Sequence, residues 1–235
     1  MANVGRFNDW EGCFNARDLG GLGALRPGVL IRADSLDGLT ARGWTTLAAD
    51  GVRTVIDLRN AGEAEVDHAP RPAGVTTLRI SLDGIEHRDF WDVWWGTPGF
   101  GTPAYFRPFL ERFPDRVAAV ARAVAGAAPG GVAFHCGLGR DRTGIIALVL
   151  LRLAGASPQE IADDHALSEP RVRARYAALG RSYDDAGIQA YVAGLGTTVH
   201  ALARDTAQWL DADAYLRGAG LTAAELDGLR GRLGA

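Results

Sequence analysis

Two hydrophobic periods run through the chain and divide it into strands and helices. Short apolar runs of strand length fall at Val29–Arg32, Val52–Leu58 and Val132–Phe134, and Val75–Leu82 alternates in its second half. Helical spacing appears between them. Thr40 to Asp50 reads as a helix with Thr40 as N-cap and Gly51 as the stop. A short helix is expected over Glu63–Val66, after the turn Asn60-Ala61-Gly62, and a longer one over Arg116–Ala127. The stretch Arg142–Leu153 is apolar on nearly every face, which predicts a helix at the centre of the fold. Ser157-Pro158-Gln159-Glu160 opens a further helix with a capping box, and residues 160–180 continue as one or two helices carrying Arg171, Arg173, Arg175 and Arg181. Residues 185–235 read as a helical C-terminal cap, broken by Gly-Leu-Gly at 194–196 and containing the capping box Thr222-Ala223-Ala224-Glu225. The strand–helix–strand rhythm predicts an α/β fold with a central, mainly parallel sheet flanked by helices. With no linker, repeat or low-complexity tract, residues 1–235 are expected to form a single domain.

Residues 83–114 break this rhythm. They hold Phe90, Trp91, Trp94, Trp95, Phe100, Tyr105, Phe106, Phe109 and Phe113, interrupted by four prolines. Two readings stand: a helical insertion burying its rings in the core, or an aromatic-rich lid that walls a substrate site. The lid is the expectation carried forward.

The candidate chemistry lies between the last strand and the central helix. His135-Cys136-Gly137-Leu138-Gly139-Arg140-Asp141-Arg142-Thr143-Gly144 follows the breaker Pro129-Gly130-Gly131 and the strand Val132–Phe134. A loop feeding a helix N-terminus aims several backbone N–H groups into one concavity, which favours an anion. The same field favours a thiolate, the reactive form of cysteine. Arg142 offers a planar fork that can hold two phosphate oxygens at once. Thr143 is placed to donate to the thiolate, and His135 to orient the loop.

Composition narrows the classes. The 235 residues are 47% hydrophobic and 23% charged, with a net charge of -3, so nothing points to nucleic acid. All 25 basic residues are Arg, which reads first as coding bias. Two cysteines are too few for a disulfide scaffold, and Cys13 reads as a packing residue. His68, His87, His135, His165 and His200 are scattered without metal-ligand spacing, and no Walker loop occurs; no metal and no cofactor are expected. Met1–Arg6 does not read as a signal peptide, and no apolar run reaches membrane-span length, so a cytoplasmic protein without integral membrane contact is expected.

The loop resembles the signature of the cysteine-dependent protein tyrosine phosphatases. Within them it is most similar to the bacterial atypical tyrosine and lipid phosphatases, with the pattern His-Cys-x-x-Gly-Lys-Asp-Arg-Thr-Gly. Arg140 stands where that group usually has Lys, keeping the charge and changing its shape. The resemblance extends to Phe14–Gly21, to Ile31–Leu36 with Leu39-Thr40, and to Thr54–Arg59, so it covers residues 14–144 in order. It implies a phosphomonoester hydrolase acting on phosphotyrosine through a phosphocysteine on Cys136. Arg142 and the loop residues Gly137, Leu138, Gly139, Arg140, Thr143 and Gly144 would bind the phosphoryl group. Asp141 would be the general acid, with Asp57 and Asp83 as competitors. His135, Asp57 and Arg17 would support the loop; an ordinary ion pair of Arg17 with Asp18 is the alternative reading. A phosphoinositide or other small phosphomonoester is the alternative substrate, and Arg140 would suit a multiply charged head group. A rhodanese-like sulfurtransferase or a phosphate-reading binding module are the readings from other classes. Intact Cys136 and Arg142 argue against the binding module, and Arg142-Thr143-Gly144 at this spacing argues against the sulfurtransferase. The residue pattern leaves the oligomeric state open.

Overall fold

The computed structural model describes residues 6–235; the absence of a leader read at Met1–Arg6 falls mostly outside them. Five strands form one sheet: β1 (Arg17–Asp18), β2 (Leu30–Ala33), β3 (Val52–Asp57), β4 (Thr76–Arg79) and β5 (Gly131–His135), in the order β1-β2-β5-β3-β4. Only the short β1 runs antiparallel, so the sheet is mainly parallel, as the sequence rhythm predicts. β5 lies in the middle, and its whole length is buried.

Alternation along the strands gives each face its own core. Leu30, Ile56, Val132 and Phe134 face a large helical layer, whereas Ile31, Ala33, Val55 and Ala133 face Trp10, Trp44, Leu36, Leu39 and Leu47. Val52 joins Val55 on that second face despite a separation of three, because the register shifts between Val52 and Thr54. Helix α1 (Ala41–Ala49) covers this face, with Thr40 accepting from the Gly43 N–H as its cap. The other face carries α2 (Arg88–Trp91), α3 (Phe106–Arg112), α4 (Pro114–Ala125), α5 (Asp141–Leu153), α6 (Pro158–Ala166), α9 (Val199–Trp209), α10 (Ala212–Gly218) and α11 (Ala223–Leu233), while α7 (Ser168–Ala178) packs on α6 and α8 (Asp185–Gly194) on the 3-10 turn Pro98–Gly101. Every residue of α5 from Thr143 to Leu151 is buried, which explains its unbroken apolar sequence. Both expected capping boxes form, at Ser157/Glu160 and at Thr222/Glu225.

Two expectations need correction. Glu63–Val66 is not helical. Its backbone is drawn into side-chain bonds instead, with Glu65 N–H given to Asp37 at 2.9 Å and Asn60 N–H to the Glu63 carboxylate at 3.0 Å. The strand expected over Val75–Leu82 shrinks to Thr76–Arg79, because it is an exposed edge.

Within 83–114, Trp91, Tyr105, Phe106, Phe109 and Phe113 are buried. They interlock, with Phe90 edge-on to Phe113 at 5.0 Å and Trp91 stacked on Trp95 at 5.6 Å. The Trp91 indole donates to the Asp83 carbonyl at 2.8 Å, tying this stretch to the end of the sheet.

Candidate active site

The C-terminal ends of β2, β3 and β5 converge on the loop 136–140, the position where parallel sheets place their ligands. Cys136 follows directly from buried β5 and is only 3% exposed. Helix α5 begins at Asp141, so its N-terminal N–H groups point back toward the loop. Cys136 and Arg142 thus stand at the two ends of one loop.

The loop carbonyls are held outward by a dedicated set of donors. Ser35 N–H reaches the Gly137 carbonyl at 3.1 Å. The Asn15 amide reaches the Leu138 and Gly139 carbonyls at 3.1 and 3.2 Å. Arg32 reaches the Gly139 carbonyl at 2.8 Å and that of Arg140 at 3.4 Å. With the oxygens turned out, the N–H groups of these peptide planes turn toward the concavity. Gly139 sits at φ 66°, and a Cβ there would lie 2.5 Å from the Ala33 carbonyl oxygen, so only glycine lets the loop pass this close to β2.

Beneath these donors lies a buried ion cluster on α6. Asp164 accepts from Arg17 at 3.0 Å, Arg32 at 2.7 Å and Arg6 at 2.8 Å. Burial opposes the Asp164 charge, but the Arg17 and Arg32 charges outweigh it and hold the carboxyl well below the usual range. Burial and the neighbouring Arg17 lower the Arg32 pKa to about 10. Arg17 does not pair with Asp18, which instead accepts from the Gly20 and Gly28 N–H groups. Arg17 donates to the Asn15 side-chain oxygen at 2.5 Å, so it reaches the loop through Asn15.

Among the other predicted residues, His135 is fully buried, with Nδ1 3.3 Å from the Cys136 carbonyl and Nε2 3.8 Å from Asp57. Burial pushes its pKa down to about 4, leaving it neutral at physiological pH. Asp57 is bound by Arg59 at 2.9 and 2.8 Å, and Arg59 also holds Asp37 and Ser35. Burial would raise the Asp57 pKa, but the Arg59 bonds outweigh it. The Thr143 hydroxyl is buried without a partner among the described residues. Arg140 points its guanidinium at the Asp141 carboxylate, 3.1 Å away, and at the Tyr183 hydroxyl. The remaining arginines of 171–181 are occupied: Arg175 on Asp34 at 2.5 Å, Arg173 on Asp185 at 2.6 Å, Arg171 over Phe7 and Arg181 over Tyr176. Cys13 is more than packing, since its thiol donates to Asp34 at 2.7 Å.

Arg142 meets two carboxylates. Glu63 takes it at 2.7 Å through both oxygens, and Asp83 at 3.1 Å. Burial opposes the Arg142 charge, yet Glu63, Cys136 and Asp83 outweigh it and raise its pKa. Burial raises the Asp83 pKa, and repulsion by Glu63 and Asp141 adds to this against the pull of Arg142 and Asn60. Glu63, Asp164 and Tyr183 were not legible as site residues from their own sequence neighbourhoods, whereas Asn15, Arg32 and Arg59 lie in segments that the resemblance covers, without a role assigned to them. Glu63 had one usable signal, since it follows the C-terminal end of a parallel strand. No group of three metal-binding side chains gathers among the described residues.

A buried cysteine and an arginine at the two ends of one loop, ahead of a helix N-terminus, form a candidate anion-handling site. The family model of the tyrosine phosphatase family matches residues 8–235, and the chain belongs to that family. It is 34% identical to a tyrosine-protein phosphatase of Nostoc commune, over 90% of this chain and 76% of that protein. It is 32% identical to a putative tyrosine-protein phosphatase of Cupriavidus necator, over 87% and 84%. It is 26% identical to the triple specificity protein phosphatase PtpB of Mycobacterium tuberculosis, over 94% and 97%. The protein is therefore a phosphatase of the tyrosine phosphatase family, in which cysteine dependence is typical.

Proposed function

We propose that the chain hydrolyses phosphotyrosine in proteins through a phosphocysteine on Cys136. The placement of Cys136 under a loop whose carbonyls are all turned outward carries this reading. The Cys136 thiolate attacks phosphorus in line with the tyrosyl oxygen; the S–P bond forms as the P–O bond breaks. Loop N–H groups and Arg142 hold the equatorial oxygens, most strongly in the transition state. Water then cleaves the S–P bond and releases phosphate.

The leaving oxygen needs a proton. The sequence resemblance points to Asp141, whose carboxylate accepts from Arg140 at 3.1 Å. Asp83 suits the task better, because burial favours its protonated form beside Arg142. A bound phosphoryl dianion adds to that preference. Replacing the true acid slows esters with poor leaving groups far more than nitrophenyl phosphate, so Asp83→Asn and Asp141→Asn separate the two candidates.

The open cleft beside the loop is lined by Thr97, Pro98, Leu138, Arg140, Tyr176 and Tyr183. Residues 97 and 98 belong to the aromatic-rich stretch, which supports 83–114 as a substrate wall within one phosphatase domain. A phosphoinositide is the second reading, supported by Arg140 in this cleft and by the triple specificity in the name of the mycobacterial relative. No described helix is long and apolar enough to cross a membrane, and the cytoplasm is the proposed compartment. Initial rates on a phosphotyrosine peptide, a phosphoserine peptide and a phosphoinositide panel, with Cys136→Ser as control, test the proposal. Peptide preference with a dead variant supports it; lipid preference promotes the second reading; no turnover rejects both.

A further inference from the structure

A guanidinium clasps a phosphate through two parallel N–H groups, so what those groups already hold decides whether it can. Arg140 lines the cleft beside the loop, yet it is only 7% exposed. Asp141 takes the side edge of its fork, with Nε donating to Oδ1 at 3.1 Å and Nη2 to Oδ2 at 3.2 Å. Nη1 donates to the Tyr183 hydroxyl. Gly101, from the aromatic-rich stretch, packs against Nη2, where a Cβ would lie 2.9 Å away. The fork is therefore filled by a carboxylate, and both terminal nitrogens are engaged. Burial opposes the Arg140 charge, yet Asp141 and Tyr183 outweigh it and raise its pKa. Arg32 holds the Arg140 carbonyl at 3.4 Å, so a change of partner must come from the side chain turning.

Tyr183 is itself held in place. Its ring meets Tyr176 of α7 edge-on at 5.5 Å, and the next residue, Asp184, caps α8 by accepting the Gly187 N–H at 3.0 Å. Asp184 also gives the cleft a carboxylate of its own. The arginines of α7 are committed elsewhere, Arg173 to Glu169 and Asp185 and Arg175 to Asp34. Among the described residues that line the cleft, Arg140 is the one cation, and Asp141 neutralises it. A second anion entering beside the scissile phosphate would meet Asp184 and tyrosine rings, not a free guanidinium. Repulsion and lost hydration both disfavour it.

We propose that Tyr183 is a specificity-determining residue: by holding Arg140 against Asp141 it withholds the guanidinium from substrate, so the site favours esters with one phosphate and no neighbouring anion. The proposal deepens the phosphotyrosine reading, on which it rests, and sets it against a multiply phosphorylated head group. Arginine suits this seat because its planar fork serves Asp141 along one edge and Tyr183 at the far nitrogen. Loss of the Tyr183 hydroxyl takes the acceptor from a buried Nη1. Arg140 regains one by turning into the cleft, where a second phosphate accepts it.

The test measures kcat/KM on a phosphotyrosine peptide with uncharged neighbours and on the same peptide with a phosphoserine beside the phosphotyrosine. Phosphotyrosine cleavage is followed in wild type, Tyr183→Phe and the double variant Tyr183→Phe/Arg140→Gln. Wild type is expected to prefer the singly phosphorylated peptide. Tyr183→Phe should raise the ratio of doubly to singly phosphorylated peptide about 10-fold, the scale of one hydrogen bond to a charged group. The double variant should lose that gain, because the gain belongs to the released Arg140. A merely structural role for Tyr183 would move both peptides together and leave the ratio unchanged. A wild-type preference for the doubly phosphorylated peptide, a Tyr183→Phe ratio within about twofold of wild type, or a gain that persists in the double variant would overturn the proposal. If wild type turned over neither peptide, the phosphatase reading alone would fall. The ratio of the two peptides' dissociation constants in the same three proteins would then decide the role of Tyr183, and a ratio unmoved by Tyr183→Phe would overturn it.

Discussion

Asp164→Asn isolates the buried support of the loop. Asp164 and Arg32 are each 1% exposed at the side chain, Arg17 is fully buried, and Arg6 adds a third guanidinium. Four bonds converge on two carboxylate oxygens, from Arg17 at 3.0 and 3.2 Å, Arg32 at 2.7 Å and Arg6 at 2.8 Å. Asparagine keeps one acceptor oxygen and turns the other position into a donor facing arginine donors. Two of the four bonds are lost, and three positive charges lose the carboxylate they share. A unit pair at 4 Å is worth about 4 kcal/mol at an effective dielectric of ~20 before desolvation is subtracted. Removing one partner of a buried pair destabilises by roughly 3–5 kcal/mol, because the remaining charge stays buried. For a domain of this length that corresponds to a fall in Tm of roughly 6–20 °C.

The same variant has a pH signature. The folded pKa of Asp164 lies below its unfolded value of about 3.9, so its contribution is fully present above that value and fades as pH falls through the folded pKa. The stability gap between wild type and Asp164→Asn should hold from about pH 5 to 8 and narrow below ~pH 4. Urea unfolding across this range measures it. A gap under ~1 kcal/mol at pH 7, or one that widens on acidification, would refute the reasoning.

Other consequences are equally direct. Asn15→Leu removes the amide from the Leu138 and Gly139 carbonyls and should lower kcat about 10-fold or more, read by steady-state rates alongside circular dichroism. Gly139→Ala forces a Cβ against the Ala33 carbonyl at φ 66°, costing on the order of 3 kcal/mol in urea unfolding. The folded pKa of His135, about 4, is below its unfolded ~6.5; wild-type stability should therefore fall by roughly 3 kcal/mol as pH drops from about 6.5 to 4, and His135→Asn should flatten that limb. Glu63→Gln removes repulsion from Asp83 and should move the basic limb of the kcat profile to lower pH if Asp83 is the acid.

The residues that could be read from sequence share one property: their roles follow from neighbours along the chain. The loop is a contiguous decapeptide, α5 announces its burial by being apolar throughout, and Thr40, Ser157 and Thr222 cap the helices they precede. The parallel sheet follows from strand–helix alternation. What was not legible is long-range. Asp164 lies 132 residues from Arg32 and 147 from Arg17, and nothing near it in sequence marks it as their partner. Glu63 lies 79 residues from Arg142, and its local pattern suggests a helix that the side-chain bonds of Asn60 and Asp37 displace. The aromatic run announced its hydrophobicity but not which rings would be buried, because that depends on α3 and α4 packing over the sheet. Arg140 was read as free positive charge; its guanidinium is shared between Asp141 and Tyr183, the latter 43 residues away.

The central claim is covalent catalysis at Cys136, and its most direct test is to quench the enzyme in acid during turnover of a phosphotyrosine peptide, then map the phosphate. Asp83→Asn, if it slows phosphocysteine hydrolysis, should raise the trapped fraction. The account predicts phosphate on Cys136 that is chased by water into free phosphate, and no such adduct or turnover in Cys136→Ser. Phosphate mapped to any other side chain, or sustained turnover by Cys136→Ser, would contradict it.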